Sequence, residues 1–306
     1  MSVLFTRNIS NWDDWGKVYQ DIAAWRPLIR HIYAREHLPF TEITYLTPGS
    51  NAVFHVGDTV VKIFAPRESG IDSTTDVETE AFAMRRATVL GLSVPKCIVC
   101  DTLEDKYRFS YMIMEYVPGK EFTEIAGGLS REEKIALGRN LRRVLDKMNT
   151  PCESFNGIDV VHDKGRYKRW EKYATAFQSE RISYIRSRSY GEEVFVHGDL
   201  CGDNILFGEN GEMVIIDFAD AVLAPVIYEH AHIACELFEF DRDYLTGFFG
   251  AYDIEWLTNL CFEGLLLHDF GGDIIKTHIA EPDEIPTLDV LKERIKTAIE
   301  SAVKKE

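Results

Sequence analysis

The apolar period of the chain changes near residue 43, and that change limits the fold more than any other feature. Before it, Trp15, Val18, Tyr19, Ile22 and Trp25 recur at helical spacing, which predicts helix from about Trp12 to Glu36. After it come "TEITYLTPG", "NAVFHVGD" and "TVVKIFAP", three β-prone runs separated by Pro48-Gly49-Ser50-Asn51 and Gly57-Asp58. Connections this short join antiparallel neighbours. A helix is expected from about Thr75 to Leu90, with acids at its start and Arg85-Arg86 later, as the helix dipole favours. "PKCIVCDTL" and "RFSYMIMEYV" then complete a five-stranded antiparallel set.

Beyond "VPGKEF" the pattern turns helical. Ser130-Arg-Glu-Glu reads as a capping box opening a helix to Met148. Tyr167 to Arg188 is a further helical candidate, and helices with polar loops are expected from Ile227 onward. The fold class is therefore α+β. An N-terminal lobe, 1–117, holds five strands, one helix and the leading helix; a mainly helical lobe with a short hairpin covers 118–306. The joining segment lies near Glu115 to Lys120. The leading helix is read as a packing element, and a monomer is expected.

Charge narrows the partners. The net charge of -16 argues against nucleic acid, which needs a basic face; it would suit a cationic ligand through long-range attraction, or simply keep the protein dispersed. No apolar run is long enough for a membrane span and no leader is expected, which points to a cytoplasmic protein. The six cysteines are scattered, as reduced thiols would be. Cys97 and Cys100 form a lone C-x-x-C without further ligands at matching spacing, so they read as strand residues.

One stretch of the helical half breaks its pattern: "VHGDLCGDNILFGENGEMVIIDF", Val196 to Phe218. Asn210-Gly211 is a hairpin turn signal, and the two strands around it would carry Asn204 near the start and Asp217 near the end. Asp199 hangs on the preceding loop. An amide oxygen and a carboxylate are hard donors of the kind Mg²⁺ shares with phosphates. Asp199 remains to orient a hydroxyl and take its proton. Phosphoryl transfer needs this set: a metal clamp, a positioned nucleophile and charge stabilisation.

"HGDLCGDN" resembles the catalytic loop H-G-D-x-x-x-x-N of the aminoglycoside phosphotransferase family, the small-molecule relatives of protein kinases, and "IIDF" resembles that family's metal-binding segment. The resemblance runs from about residue 43 to about residue 240. It implies a bilobal protein-kinase-like fold, with Asp199 as catalytic base, Asn204 and Asp217 on Mg²⁺, and His197 structural. Lys62 sits among Val60, Val61, Ile63 and Phe64, where an ammonium needs a partner. The resemblance makes it the lysine that holds nucleotide phosphates, and makes Glu80 its brace, with Glu78 as the alternative. It places Ser50 in a phosphate-approaching loop, whereas the turn taken alone reads as an ordinary hairpin. "YMIMEYVPG" is similar to the hinge that grips a purine, with Glu115 and Val117 offering backbone groups and Met114 lining the pocket. ATP and GTP both remain open as co-substrate. Glu229, in "YEHA", falls where the family usually has the aspartate of Y-D-x-A, and reads as structural.

Glu229, His232, Glu236 and Glu239 recur at i, i+3, i+7 and i+10, one helix face opposite Ile227, Ala231, Cys235 and Phe238. That face reads either as an acidic wall for an amine-bearing acceptor or as a solvated surface. Asp220, Glu236 and Glu239 are the substrate-binding candidates, with Asp241, Asp243, Asp253, Glu255, Glu263 and Asp269 adding to the field. The resemblance implies an ATP- or GTP-dependent O-phosphotransferase acting on a hydroxyl of a small cationic molecule, an aminoglycoside first. "IDFADAVLAPVIYEHA" resembles the hygromycin-kinase branch more than the kanamycin-kinase branch. The alternatives are a kinase of choline, homoserine or a sugar, or a non-catalytic nucleotide-binding pseudokinase. A choline-type acceptor would call on aromatics such as Trp170, Tyr173, Phe248, Phe249 and Trp256, although aromatics at helical spacing are usually core. A protein kinase is opposed by the absence of D-F-G and A-P-E.

Overall fold

An aspartate divides the leading helix. The computed structural model describes residues 3–163 and 168–304, and it shows α1 (Trp12–Val18) and α2 (Ile22–Arg35) where one helix is expected. The Asp21 side chain accepts from the Ala24 N–H and starts the second helix. A short polar side chain at an N-cap competes with helix continuation, so the apolar spacing alone runs through a real break.

The strands β1 (Ile43–Tyr45), β2 (Ala52–Val56) and β3 (Thr59–Ile63) are followed by α3 (Thr74–Val89), then by β4 (Cys97–Glu104) and β5 (Arg108–Glu115). They form one antiparallel sheet in the order β1-β2-β3-β5-β4. Alternation divides its residues between two faces. Phe54, Val61, Ile63, Phe109, Tyr111 and Ile113 are buried in one cluster with Phe5, Trp15, Trp25, Leu28, Ile29, Ile32 and Tyr33. The leading helices thus cover that face, and each fully buried large side chain contributes roughly 1.5–3 kcal/mol. The register pairs Lys62 with Val53 and Met112, and Val60 with Met114. Lys62, Met112 and Met114 therefore share the opposite face. Cys97 and Cys100 lie in β4 as free thiols.

The chain continues through β6 (Gly119–Glu121), α4 (Phe122–Ile125) and α5 (Arg131–Met148). Ser130 and Glu133 form the capping box of α5. Next come α6 (Thr175–Arg186), β7 (Glu193–Val196), β8 (Ile205–Gly208), β9 (Met213–Ile215) and β10 (Val222–Pro225). Then α7 (Ile227–His232) runs on as a π-helical turn over Ile233–Leu237, followed by α8 (Arg242–Phe249), α9 (Ile254–Leu267), α10 (Gly271–His278) and α11 (Leu288–Val303). Helix α6 begins at Thr175 rather than Tyr167, and residues 164–167 lie outside the described residues. Strand β10 was not expected. It pairs with β7, Val222 opposite Val196, in a stretch too short to show a period. Glycine allows α5 and α8 to approach: a Cβ on Gly138 would lie 2.4 Å from the Tyr244 carbonyl oxygen, and one on Gly247 would lie 2.2 Å from that of Ile135.

Two compact units result. One comprises Met1–Gly119 with Gly208–Ala219, the other Lys120–Phe207 with Asp220–Glu306. Unlike a single cut at residue 117, this division places Asp217 in the unit of the five-stranded sheet. Among the described residues no helix is long and apolar enough to cross a membrane.

Candidate active site

In the first unit the chemistry centres on a buried ammonium. Lys62 Nζ lies 2.7 Å from Glu80 Oε2 and 2.7 Å from Asp217 Oδ1. Lys62 is 3% exposed and Glu80 1%, whereas Glu78 on α3 faces solvent. Burial works against the Lys62 charge, but the Asp217 and Glu80 carboxylates outweigh it and hold the ammonium pKa above its ordinary value. Burial pushes the Glu80 carboxyl up to about 7; Lys62 opposes that rise and Asp217 adds to it. Asp217 has φ +59, a left-handed conformation that costs a non-glycine residue energy and recurs at functional sites.

Asp76, absent from the sequence candidates, belongs to this group. It lies one turn before Glu80 on α3, and its pKa is raised, first by burial, with Lys62 pulling it down and Asp72 and Asp217 pushing it up. The i, i+4 spacing to Glu80 was the available signal. Met114 is buried on the Lys62 face. The Glu115 N–H donates to Lys96 O and the Tyr116 N–H to Asp58 O, while among the described residues the Val117 N–H has no acceptor. Ser50 is exposed, and its carbonyl accepts the Trp15 indole N–H at 2.8 Å.

In the second unit the residues after β7 form a closely bonded loop. Asn204 Nδ2 donates to the Asp199 carbonyl at 2.7 Å and to Asp199 Oδ2 at 3.2 Å. The Cys201 N–H also reaches the Asp199 carbonyl. With its nitrogen engaged, Asn204 has its amide oxygen left for another partner. Asp199 is half-buried and its N–H donates to Nδ1 of the fully buried His197. Gly198 has φ +84, and a Cβ there would lie 2.1 Å from the Asp220 carbonyl oxygen, so both backbone and space demand glycine. Glu229, fully buried, accepts from the His197 N–H at 2.6 Å and from Asn149 Nδ2 at 2.6 Å. Burial raises its pKa and these donors oppose the rise. It braces the loop from below.

The acidic face is not built as the spacing suggested. The π turn shifts the helical period, and Glu239 lies beyond it at φ +47, off the helix. Glu229 and His232 are fully buried rather than lining a wall. His232 Nε2 pairs with Glu236 Oε2 at 3.1 Å. Burial would lower the His232 pKa, but Glu236, Asp199 and Glu229 raise it overall. Of the other acids, Asp241 caps α8 and pairs with Lys134, Asp243 pairs with Arg131, Asp253 caps α9, and Asp269 lies near Arg169. Asp220 is exposed. Trp170, Tyr173 and Phe248 are core side chains, which removes them from any cage; Trp256 is exposed and Phe249 half-buried.

The lysine held by two carboxylates and the Asp199–Asn204 loop both fall within a stretch that a comparison of sequences picks out. The model of the phosphotransferase enzyme family (APH) matches residues 45–260. The chain belongs to this family. It is therefore a phosphotransferase, an enzyme that passes phosphate to a hydroxyl acceptor. No curated protein sequence matches the phosphotransferase. Solved structures share its kinase-like fold. One is the GDP complex of wild-type aminoglycoside 2'-phosphotransferase-IIIa, at 16% identity and TM-score 0.56, covering 91% of this chain and 99% of that one. Another is the streptomycin-ATP-APH(2")-IIa ternary complex, at 16% identity and TM-score 0.58, covering 86% and 97%. A third is a thermostable mutant of aminoglycoside phosphotransferase APH(4)-Ia with ADP and hygromycin B, at 13% identity and TM-score 0.55, covering 90% and 99%. Asn204 and Asp217 each carry a hard oxygen, an amide and a carboxylate, and among the described residues no set of three His, Cys, Asp or Glu side chains could hold a metal alone. This donor chemistry fits Mg²⁺, which completes its shell with water and phosphate.

Proposed function

We propose that the phosphotransferase uses a purine nucleoside triphosphate to phosphorylate a hydroxyl of a small cationic molecule, an aminoglycoside in the first instance. The observation that carries the reading is the Lys62 ammonium, buried and charged between Glu80 and Asp217 at 2.7 Å each. A buried lysine braced in this way is a fixed positive charge that a phosphate chain can use at little further reorganisation. Lys62 holds the nucleotide phosphates, Glu80 fixes the lysine, and Ser50 approaches the phosphates from its loop. Met114 lines the base pocket, with the Glu115 carbonyl and the Val117 N–H reading the purine. Asn204 and Asp217 would hold Mg²⁺, which when bound neutralises phosphate oxygens. Asp199 orients the acceptor hydroxyl and accepts its proton. His197 and Glu229 hold the Asp199 loop in place. The related folds solved with streptomycin, kanamycin and hygromycin B support a cationic acceptor.

The test is turnover of ATP and of GTP with and without a panel of amino sugars, using phosphorus NMR of the product to locate the new ester. Acceptor-dependent phosphate transfer that disappears in Asp199→Asn is the expected result. Nucleotide consumption indifferent to every amino sugar, or an Asp199→Asn variant as fast as the parent, would sink the reading.

A further inference from the structure

The loop Leu46–Asn51 is exposed at its tip, yet one interior side chain reaches it. Trp15, on α1, is 1% exposed, and its indole N–H donates to the Ser50 carbonyl at 2.8 Å. Among the described residues the N–H groups of Gly49 and Ser50 have no acceptor, and the loop's own side-chain tie is at its far end, where Asn51 Oδ1 accepts from the Ala65 N–H at 3.4 Å. Beneath Trp15 the support is continuous. Its ring meets Trp25 edge-on at 5.8 Å between centroids, and Trp25 in turn packs on Phe5 at 4.3 Å. The segment that carries them is bonded to the sheet. Asp105 accepts from the N–H groups of Leu4 and Phe5, and the Tyr107 hydroxyl accepts from the Ile9 N–H, each at 2.8 Å. Trp15 lies outside residues 45–260, so this tether comes from the chain's own leading segment rather than from the part that matches the family.

We propose that Trp15 is a positioning residue, whose indole N–H sets the height of the Ser50 loop for nucleotide phosphates. The inference rests on the nucleotide reading above and adds to it a determinant from outside the loop. The chemistry is simple: a carbonyl fixed by an interior donor orients the peptide plane after Ser50, and with it the Asn51 N–H on the other side of that plane. The loop then meets an anion already shaped, and less ordering is needed on binding.

Trp25 provides the matched control. It also donates its indole N–H to a carbonyl, that of Val18 at 2.8 Å, in the same cluster, but that carbonyl belongs to the leading segment. Trp15→Phe and Trp25→Phe each remove one buried indole hydrogen bond and part of one ring. Both should lower thermal stability by similar amounts. Only Trp15→Phe should weaken ATP binding, by about fivefold, as expected for one lost neutral hydrogen bond, and only it should speed amide exchange across residues 46–51. Acceptor KM should stay within about twofold in both, by the same argument. Loss of affinity shared equally by both variants, or a Trp15→Phe protein with unchanged affinity and unchanged loop exchange, overturns the inference. A parent protein that binds neither ATP nor GTP overturns the nucleotide reading and this inference with it, so the two failures are told apart before any variant is made.

Discussion

Replacing Lys62 with methionine should make folding stability fall more steeply with pH. Methionine keeps much of the length of the side chain and removes its charge. Glu80 then loses the cation that opposes its desolvation, while the burial and the nearby Asp217 that raise its pKa remain. Its carboxyl must rise above the value of about 7 that it has in the parent. A carboxyl that is protonated when folded and ionised when unfolded binds a proton on folding. Its contribution is therefore fully present below the unfolded pKa, about 4.3, and is lost as pH climbs through the folded pKa. In the parent this loss is nearly complete just above pH 7. Between pH 6 and pH 8 it weakens the folding equilibrium about tenfold, about 1 kcal/mol. In Lys62→Met the loss continues past pH 8, and the same interval weakens folding up to about a hundredfold, about 3 kcal/mol. Asp76, whose raised pKa Lys62 also holds down, shifts in the same direction when that cation is removed. Urea unfolding of both proteins at pH 6 and pH 8, without nucleotide, isolates the difference because distant titrations cancel. A variant whose stability runs parallel to the parent, or falls less steeply, would refute the electrostatic account of the lysine.

Other outcomes follow from the second unit. Asp199→Asn keeps an oxygen for Asn204 Nδ2, so the loop should hold and kcat should fall by roughly 10²–10⁴ while ATP affinity stays the same; steady-state kinetics beside calorimetry checks the split. Glu229→Gln has only one oxygen for the His197 N–H and Asn149 Nδ2, and should lose roughly 1.5–3 kcal/mol in chemical unfolding. Gly198→Ala should cost roughly 1–3 kcal/mol from its left-handed backbone alone, with more from the clash at 2.1 Å with the Asp220 carbonyl, and should show impaired folding on expression.

What could be read from the chain depended on whether a feature was periodic or local. The five strands were legible because alternation and turn residues mark them together, and the capping box of α5 because Ser130 and Glu133 are three residues apart. The division of α1 from α2 needed the Asp21 cap to outweigh an unbroken apolar spacing. The π turn over Ile233–Leu237 left no mark in composition, since it widens one turn without changing a residue, and the helix ends with it, before Glu239. Of the site, Lys62 was visible as a charge inside a strand. Asp76 stayed hidden because an acid in the first turn of a helix is ordinary. The Trp15–Ser50 bond spans 35 positions and joins a side chain to a backbone carbonyl, a pairing no residue pattern encodes.

The acidity of the chain has to be divided before it can be assigned to a substrate. A net charge of -16 spreads a negative potential that would draw any polycation toward the protein. Binding needs something more local, and the acids that seemed available are mostly engaged. Asp241 and Asp243 answer Lys134 and Arg131, Asp273 answers Lys172 and Arg169, and Glu236 answers the buried His232. Each such pair cancels most of its own field within a few ångströms, and salt screens the remainder over about 8–10 Å. The uncancelled excess of the first unit is different: Glu80, Asp217 and Asp76 surround a single ammonium. That excess lies on the Lys62 face of the sheet, where a hard cation, not an amine, is the species the proposed chemistry requires. On the proposed reading, long-range charge would draw a cationic acceptor toward the protein, and the short-range excess around Lys62 would suit a hard metal ion.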